Sequence, residues 1–69
     1  MLKLKSLRKS KHLSQVRLAV ELSTTQGNIS RYESEEREAD YKMLIAIADY
    51  FDVSIDYLLG RTDNPKMNR

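Results

Sequence analysis

Apolar residues recur at three- and four-residue spacing along most of the 69-residue chain, which is the period of a helix and not of a strand. One segment follows the i, i+3, i+4, i+7 pattern in full, through Leu44, Ile47, Ala48 and Phe51. It predicts a helix over about residues 41–51 that contributes strongly to the core. Four shorter helices are predicted over about residues 2–10, 14–22, 26–33 and 55–59. The predicted fold is therefore all-α, a compact domain of five helices.

Short polar side chains stand just before four of the predicted helices, where they can accept hydrogen bonds from unpaired backbone N–H groups. These predicted N-caps are Ser14, Thr25, Asp40 and Ser54. His12 and Gly60 follow helix ends at positions that often adopt left-handed backbone, which glycine prefers and histidine tolerates. We therefore predict a domain over residues 1–60 and a flexible polar tail over residues 61–69.

The connection between the second and third predicted helices is very short. Only Ser23 and Thr24 lie between them, so the two helices must meet at a sharp turn. The small side chain of Ala19 allows a close approach. This arrangement predicts a helix-turn-helix unit over about residues 14–33.

Basic side chains are concentrated in the first half of the chain. Residues 1–31 carry seven basic side chains and one acidic one, a net charge of +6, whereas residues 32–69 carry five and nine, a net charge of −4. The asymmetry favours a polyanionic partner for the first half, such as nucleic acid or an anionic membrane. A solvated basic face without a partner is the alternative.

The composition excludes several other functions. The chain has no cysteine, which excludes disulfides and thiol chemistry, and one histidine, which cannot build a metal cluster. Its longest apolar run, residues 43–48, is too short to span a membrane. No phosphate-binding loop or nucleophile motif occurs. We therefore expect a cytoplasmic protein that is not an enzyme and that takes no cofactor, metal ion or small-molecule ligand.

The segment from Thr24 to Arg31 carries side chains that can read DNA bases. If the third helix begins at Gln26, four residues face away from its apolar side: Gln26, Gly27, Asn28 and Arg31. Glutamine and asparagine can pair with adenine, and arginine with guanine, through two hydrogen bonds each. Glycine in a helix costs about 0.8–1.0 kcal/mol relative to alanine. Gly27 therefore indicates either close approach of the backbone to a partner or drift at a position where the cost is small.

Other side chains could contact phosphate groups. Gln15 can direct its amide towards a phosphate from the positive end of the second helix. The basic residues of the first two helices, Lys9, Lys11 and Arg17 among them, are expected to help the approach to DNA. Val16 and Val20 form an apolar pair on the second helix, for which we favour packing beneath the first helix over contact with a partner.

From about Leu4 to Asp63 the chain resembles the Cro/C1-type helix-turn-helix regulators, also called the XRE family. The resemblance rests on Leu7-Arg8, Leu13-Ser14-Gln15, Leu18-Ala19, Leu22, Thr25-Gln26 and residues 29–33 and 47–60. Residues 24–26 are similar to the start of the recognition helix in lambdoid phage repressors. The resemblance implies a five-helix domain that binds operators as a homodimer and represses or activates transcription.

Carried over by position, the resemblance assigns base reading to the four exposed residues of the third helix. It assigns phosphate or supporting contacts to Gln15, Thr25 and Ser30, and to Arg37 and Lys42 after the third helix. The family usually has glycine at the positions of His12 and Ser23, and Asn-Gly at Ser34-Glu35, so these left-handed turns are expected to be less stable here. Glu35 and Glu36 lie near the expected phosphate path, where negative charge opposes binding.

The sequence thus predicts a sequence-specific regulator, expected to be a repressor, that binds a pseudo-palindromic double-stranded DNA operator as a homodimer. Exposed Ile55, Leu58 or Leu59 of the fifth helix would supply the dimer contact. One alternative is an antitoxin-like protein-interaction module, favoured by Val16, Val20 and the acidic loop. Another is a non-specific nucleic-acid binder attracted by the +6 half.

Overall fold

The computed structural model describes residues 2–66, which form five α-helices and no β-strand. The helices are α1 (Leu4–Ser10), α2 (Gln15–Glu21), α3 (Gln26–Glu33), α4 (Tyr41–Phe51) and α5 (Ile55–Leu58). Each begins and ends within two residues of the bounds predicted from the sequence. The predicted all-α fold of five helices is confirmed.

All four predicted N-caps are present. The side-chain oxygens of Ser14, Thr25, Asp40 and Ser54 accept hydrogen bonds of 2.8–3.2 Å from the backbone N–H three residues further on. Each such cap stabilises a helix by about 1 kcal/mol. The starts of α2, α3, α4 and α5 are therefore set by local sequence.

The turns between helices use left-handed backbone. His12 has φ 58° and Gly60 has φ 77°, as predicted. Ser23 (φ 56°) and Glu35 (φ 62°) are also left-handed, as the family resemblance implied. Asp52, after α4, has φ 55° and was not anticipated. Left-handed backbone disfavours residues with a Cβ atom, so the four non-glycine turns carry strain.

One hydrophobic core joins all five helices. Each helix contributes one completely buried side chain: Leu4, Leu18, Ile29, Ile47 and Leu58. Burial of such a side chain contributes about 1.5–3 kcal/mol. Ala48 and Phe51 of α4 are also buried, as the helical pattern predicted, whereas Leu44 is half-buried.

Leu58 belongs to this core, so the expectation that it is exposed and available for a dimer contact is wrong. Its exposed fraction is 0%. Its carbonyl oxygen accepts a hydrogen bond of 2.8 Å from the backbone N–H of Lys3, which places the N-terminal segment against α5. Ile55 and Leu59 keep part of their surface exposed.

The segment after α5 returns to the domain. The backbone N–H of Ser54 donates to the carbonyl oxygen of Pro65 at 2.9 Å. The Nζ atom of Lys3 lies 3.7 Å from Oδ1 of Asp63 and 4.2 Å from the ring centre of Tyr57. The last three residues of the predicted flexible tail, 67–69, lie outside the described residues.

Candidate nucleic-acid interface

A tight turn joins α2 to α3. The left-handed backbone of Ser23 reverses the chain, and the backbone N–H of Thr24 donates to the carbonyl oxygen of Ala19 at 2.8 Å. Ala19 is buried, with 3% of its surface exposed, which is the close approach predicted from its small side chain. The result is the predicted helix-turn-helix unit.

Three of the four predicted base-reading residues, Gln26, Gly27 and Arg31, lie on the exposed side of α3. The opposite side buries Ile29 and Tyr32 in the core. Within residues 2–66, the guanidinium of Arg31 has no hydrogen-bond or ion-pair partner. The exposed side of α3 is therefore polar, and its opposite side is held by the core.

Gly27 has no structural reason to be glycine within the part of the chain described here. A Cβ atom at this position would have Thr25 Oγ1 as its nearest neighbour, at an ordinary contact distance of 3.9 Å. Its backbone is regular helix and does not need positive φ. A requirement for glycine would therefore have to come from a partner that approaches the backbone.

The fourth predicted base-reading residue, Asn28, is half-buried, and its amide has partners within the protein. Nδ2 donates to Oγ1 of Thr24 at 3.0 Å, and Oδ1 accepts from Nη1 of Arg37 at 3.1 Å. The structure thus brings together Asn28 and Arg37, for which the sequence indicated separate roles.

The sequence interpretation missed a largely buried ion pair that joins α1 to the end of α3. Arg8 Nε lies 2.6 Å from Glu33 Oε2, and its Nη2 lies 3.2 Å from Glu33 Oε1. The side chains are only 11% and 4% exposed. Arg8 stands four residues after buried Leu4, and Glu33 four residues after buried Ile29. Arg8 and Glu33 therefore each lie on the side of a helix that faces the core. Two residues of opposite charge at such positions were the signal in the sequence that could have predicted the ion pair.

The ion pair continues as a chain of hydrogen bonds to the exposed side of α3. Gln15 Nε2 donates to Glu33 Oε1 at 3.0 Å, and Gln26 Nε2 donates to Gln15 Oε1 at 3.3 Å. A carboxylate only accepts hydrogen bonds, so Gln15 must turn its amide N–H towards Glu33 and its oxygen towards Gln26. The ion pair therefore sets the orientation of the Gln26 amide.

The carboxyl group of Glu33 responds to this environment. Burial by itself raises its pKa, but hydrogen bonds from Arg8 and Gln15, with Coulombic attraction to Arg8 and Lys5, outweigh burial and leave the pKa below its ordinary value. Glu33 is therefore ionised at neutral pH. As a carboxylate it keeps accepting from Gln15, which maintains the orientations of the Gln15 and Gln26 amides.

The remaining predicted contact residues are all exposed. Lys9, Lys11 and Lys42 are exposed and have no ion-pair partner among residues 2–66. Arg17 is exposed but lies 3.4 Å from Glu21 Oε2. Thr25 and Ser30 are also exposed, as are Glu35 and Glu36.

Val16 and Val20 are 56% and 65% exposed. The interpretation that they pack beneath the first helix is wrong, because Leu18 and Ala19 form the buried side of α2. The two valines lie on the solvent side of the helix-turn-helix unit. They form a small exposed apolar surface.

A family model described as helix-turn-helix matches residues 4–58. The chain belongs to the Cro/C1-type helix-turn-helix family. Proteins of this family are transcriptional regulators that bind DNA, and they are generally not enzymes. Among residues 2–66, none of the helices combines the length and the hydrophobicity that a membrane span requires. The same residues contain no group of three or more histidine or acidic side chains placed to hold a metal ion.

The chain is similar to three regulators of Bacillus subtilis strain 168. The uncharacterized HTH-type transcriptional regulator YqaE is 45% identical over 64 residues, which cover 93% of this chain and 55% of YqaE. The uncharacterized HTH-type transcriptional regulator YobD is 35% identical over 63 residues, which cover 91% of this chain and 56% of YobD. The HTH-type transcriptional regulator ImmR is 33% identical over 66 residues, which cover 96% of this chain and 52% of ImmR. The chain thus spans about half the length of these relatives. No solved structure shows a significant match.

Proposed function

We propose that this protein is a sequence-specific regulator that places α3 in the major groove of double-stranded DNA and acts as a repressor. The observation that carries the proposal is the exposed side of α3, where Gln26 and Arg31 flank a glycine that nothing in the described fold requires. In helix-turn-helix proteins the N-terminal residues of the second helix of the unit contact base edges.

The two exposed polar side chains suit different bases. Gln26 donates one amide N–H to Gln15, which leaves the other N–H and the carbonyl oxygen, the pair of groups that adenine N7 and N6 require. Arg31 presents a free guanidinium to guanine O6 and N7. Each pairing discriminates against a wrong base by about 1–3 kcal/mol. Gly27 allows the helix backbone to approach the groove.

Exposed basic side chains outside α3 supply affinity in this proposal. Lys9, Lys11 and Lys42 are exposed and unpaired in residues 2–66, so they can neutralise phosphates without first breaking an ion pair. Supporting contacts from Gln15, Arg17, Thr25 and Ser30 complete the proposed interface. Each neutralised phosphate contributes about 0.9 to the slope of log affinity against log salt concentration.

The proposed regulator binds a pseudo-palindromic operator as a homodimer in the cytoplasm. Half-sites spaced by about one helical turn, roughly 34–36 Å, would place two copies of α3 in successive major grooves. Ile55 and Leu59, which keep part of their surface exposed, are the proposed dimer contacts. Sedimentation of the protein on its operator should show two protomers, and a single protomer on DNA would contradict the dimer.

Selection of binders from a random duplex library at about 150 mM salt tests the function directly, since non-specific binding weakens steeply as salt rises. We expect a symmetric motif. Binding without a motif would instead indicate a non-specific nucleic-acid binder. Gln26→Ala should relax preference at one base position, whereas Lys9→Ala should weaken binding to all sequences alike.

A second candidate function is a protein-interaction module of the antitoxin type. The exposure of Val16 and Val20 favours it, because more than half of each side chain faces solvent. Val16→Ser with Val20→Ser should then abolish capture of the partner protein and leave DNA selection unchanged. If the double variant loses DNA binding instead, the two valines belong to the DNA interface.

A further inference from the structure

The loop after α3 returns along the helix instead of leading away from it. Glu35 adopts left-handed backbone, and its N–H donates to the carbonyl oxygen of Tyr32 at 3.2 Å. The N–H groups of Glu36 and Arg37 both point at the carbonyl oxygen of Arg31, at 3.0 and 3.4 Å. These bonds hold the backbone of Arg37 beside the end of α3.

The side chain of Arg37 then extends towards the start of α3. Its Nη1 atom lies 3.1 Å from Oδ1 of Asn28, which belongs to the first turn of the helix. Arginine has only donors, so the Asn28 amide must turn its oxygen to Arg37 and its N–H to Thr24, where Nδ2 and Oγ1 are 3.0 Å apart. Thr24 and Asn28 therefore form a fixed support for the Arg37 guanidinium.

The charge of Arg37 is not neutralised by its acidic neighbours. It stands between Glu36 and Glu38 in the sequence, yet none of the ion pairs within residues 2–66 includes it. Its guanidinium bonds a neutral amide and is exposed. The other N–H groups of the guanidinium remain available to an acceptor outside the protein.

Asn28 is less suited than Arg37 to read a base. It is half-buried, and both atoms of its amide already have a partner. The first turn of a recognition helix is the part that faces base edges. At this turn, the exposed guanidinium of Arg37 therefore replaces the Asn28 amide as an outward donor.

We propose that Arg37 reads a guanine within the base sequence that α3 contacts, and that Asn28 is the positioning residue that holds Arg37 at the first turn of this helix. The planar fork of arginine matches guanine O6 and N7, whereas lysine offers a single point charge. This inference rests on the proposed DNA-binding function. It extends the reading surface of α3 to a residue of the loop that follows.

The test is the random-library selection, carried out with the wild-type chain and with Arg37→Ala, Arg37→Lys and Asn28→Ala. The wild-type motif should contain a guanine position whose preference falls by about 5- to 150-fold in all three variants. The double variant Asn28→Ala with Arg37→Ala should lose no more than Arg37→Ala alone, because both changes remove the same contact. A purely structural role of Asn28 would weaken every position alike.

Any of the following results would overturn the proposal. Loss of preference at a different base pair in Asn28→Ala means that Asn28 itself reads a base. A uniform loss in Arg37→Ala that Arg37→Lys restores means that Arg37 contacts phosphate. A wild-type chain that selects no motif removes the proposed function, and the inference with it.

Thermal unfolding checks that each variant folds. If Asn28→Ala is unfolded, Asn28→Asp keeps the acceptor for Arg37 and should retain the guanine preference, and its loss there would also overturn the proposal.

Discussion

The Nε atom of Arg8 lies 2.6 Å from Oε2 of Glu33, and this ion pair joins α1 to the last residue of α3. Both side chains are largely buried. A buried charge that loses its partner destabilises the fold, because the cost of its desolvation is then no longer offset by the ion pair. The other carboxylate oxygen of Glu33 also accepts from Gln15. One ion pair therefore supports both the core and the exposed side of α3.

Arg8→Met should lower the free energy of unfolding by about 3–5 kcal/mol, because Glu33 is left buried without its cation. Urea denaturation at pH 7 measures the change. Arg17→Met is the matched control: its ion pair with Glu21 is exposed, so its loss should cost less than about 1 kcal/mol. Equal effects of the two substitutions would contradict the assigned burial.

Stability should fall in acid through Glu33. Its pKa is lower in the folded protein than the ordinary value of a glutamate, so the ionised form stabilises the fold. This contribution is complete above the ordinary pKa and is lost as pH falls through the lower, folded pKa. Urea denaturation of wild type and Glu33→Gln at pH 7, 5 and 3 should show a difference that is constant between pH 7 and 5 and smaller at pH 3. A difference that grows in acid would contradict the lowered pKa.

Gly27→Ala should separate folding from binding. Alanine fits the open space at this position and stabilises a helix by up to about 1 kcal/mol relative to glycine, so the unfolding midpoint should rise. If the backbone approaches the groove, the added methyl group should weaken DNA binding at the same time. Thermal unfolding and DNA titration measure the two effects.

Gly60→Ala is the control for this substitution. Gly60 has φ 77°, which alanine adopts with strain, so the change should destabilise the domain by about 1 kcal/mol. It lies after α5 and outside the exposed side of α3, so it should leave the base preference of the folded protein unchanged. Unchanged DNA binding in Gly27→Ala would show that no partner approaches that backbone.

Glu35 combines backbone strain with a charge that opposes DNA. Glu35→Gly should relieve the left-handed strain and stabilise the domain by about 1 kcal/mol, whereas Glu35→Gln should leave stability nearly unchanged. Both should strengthen DNA binding at low salt and converge with the wild type as salt rises. Titrations at two salt concentrations measure this. Affinity that does not respond to either substitution would place Glu35 away from the phosphates.

The features predicted correctly from the sequence are local ones. Ser14 or Asp40 caps a helix through a backbone N–H three residues away, so a short stretch of sequence contains both partners. The contacts that shape the candidate site are not local. Arg8 and Glu33 are 25 residues apart, and the sequence around each residue does not identify the other as its partner. The same holds for Asn28 and Arg37, whose contact depends on the course of the loop between them.

Leu58 shows why short helices are harder. A four-residue helix makes about one turn, and periodicity over one turn does not say which side meets the core. Leu58 is buried because α5 packs beneath the N-terminal segment, where its carbonyl accepts from Lys3. That packing depends on residues more than fifty positions away.

The left-handed turns at His12 and Ser23 have a consequence for how such a protein can change its DNA preference. Each adopts backbone that glycine would hold with less strain, so one substitution at either turn can raise stability without altering the exposed side of α3. A change on α3 that reads a new base but weakens the fold then becomes tolerable. A substitution at a turn followed by a change on α3 therefore leaves the protein folded at every stage.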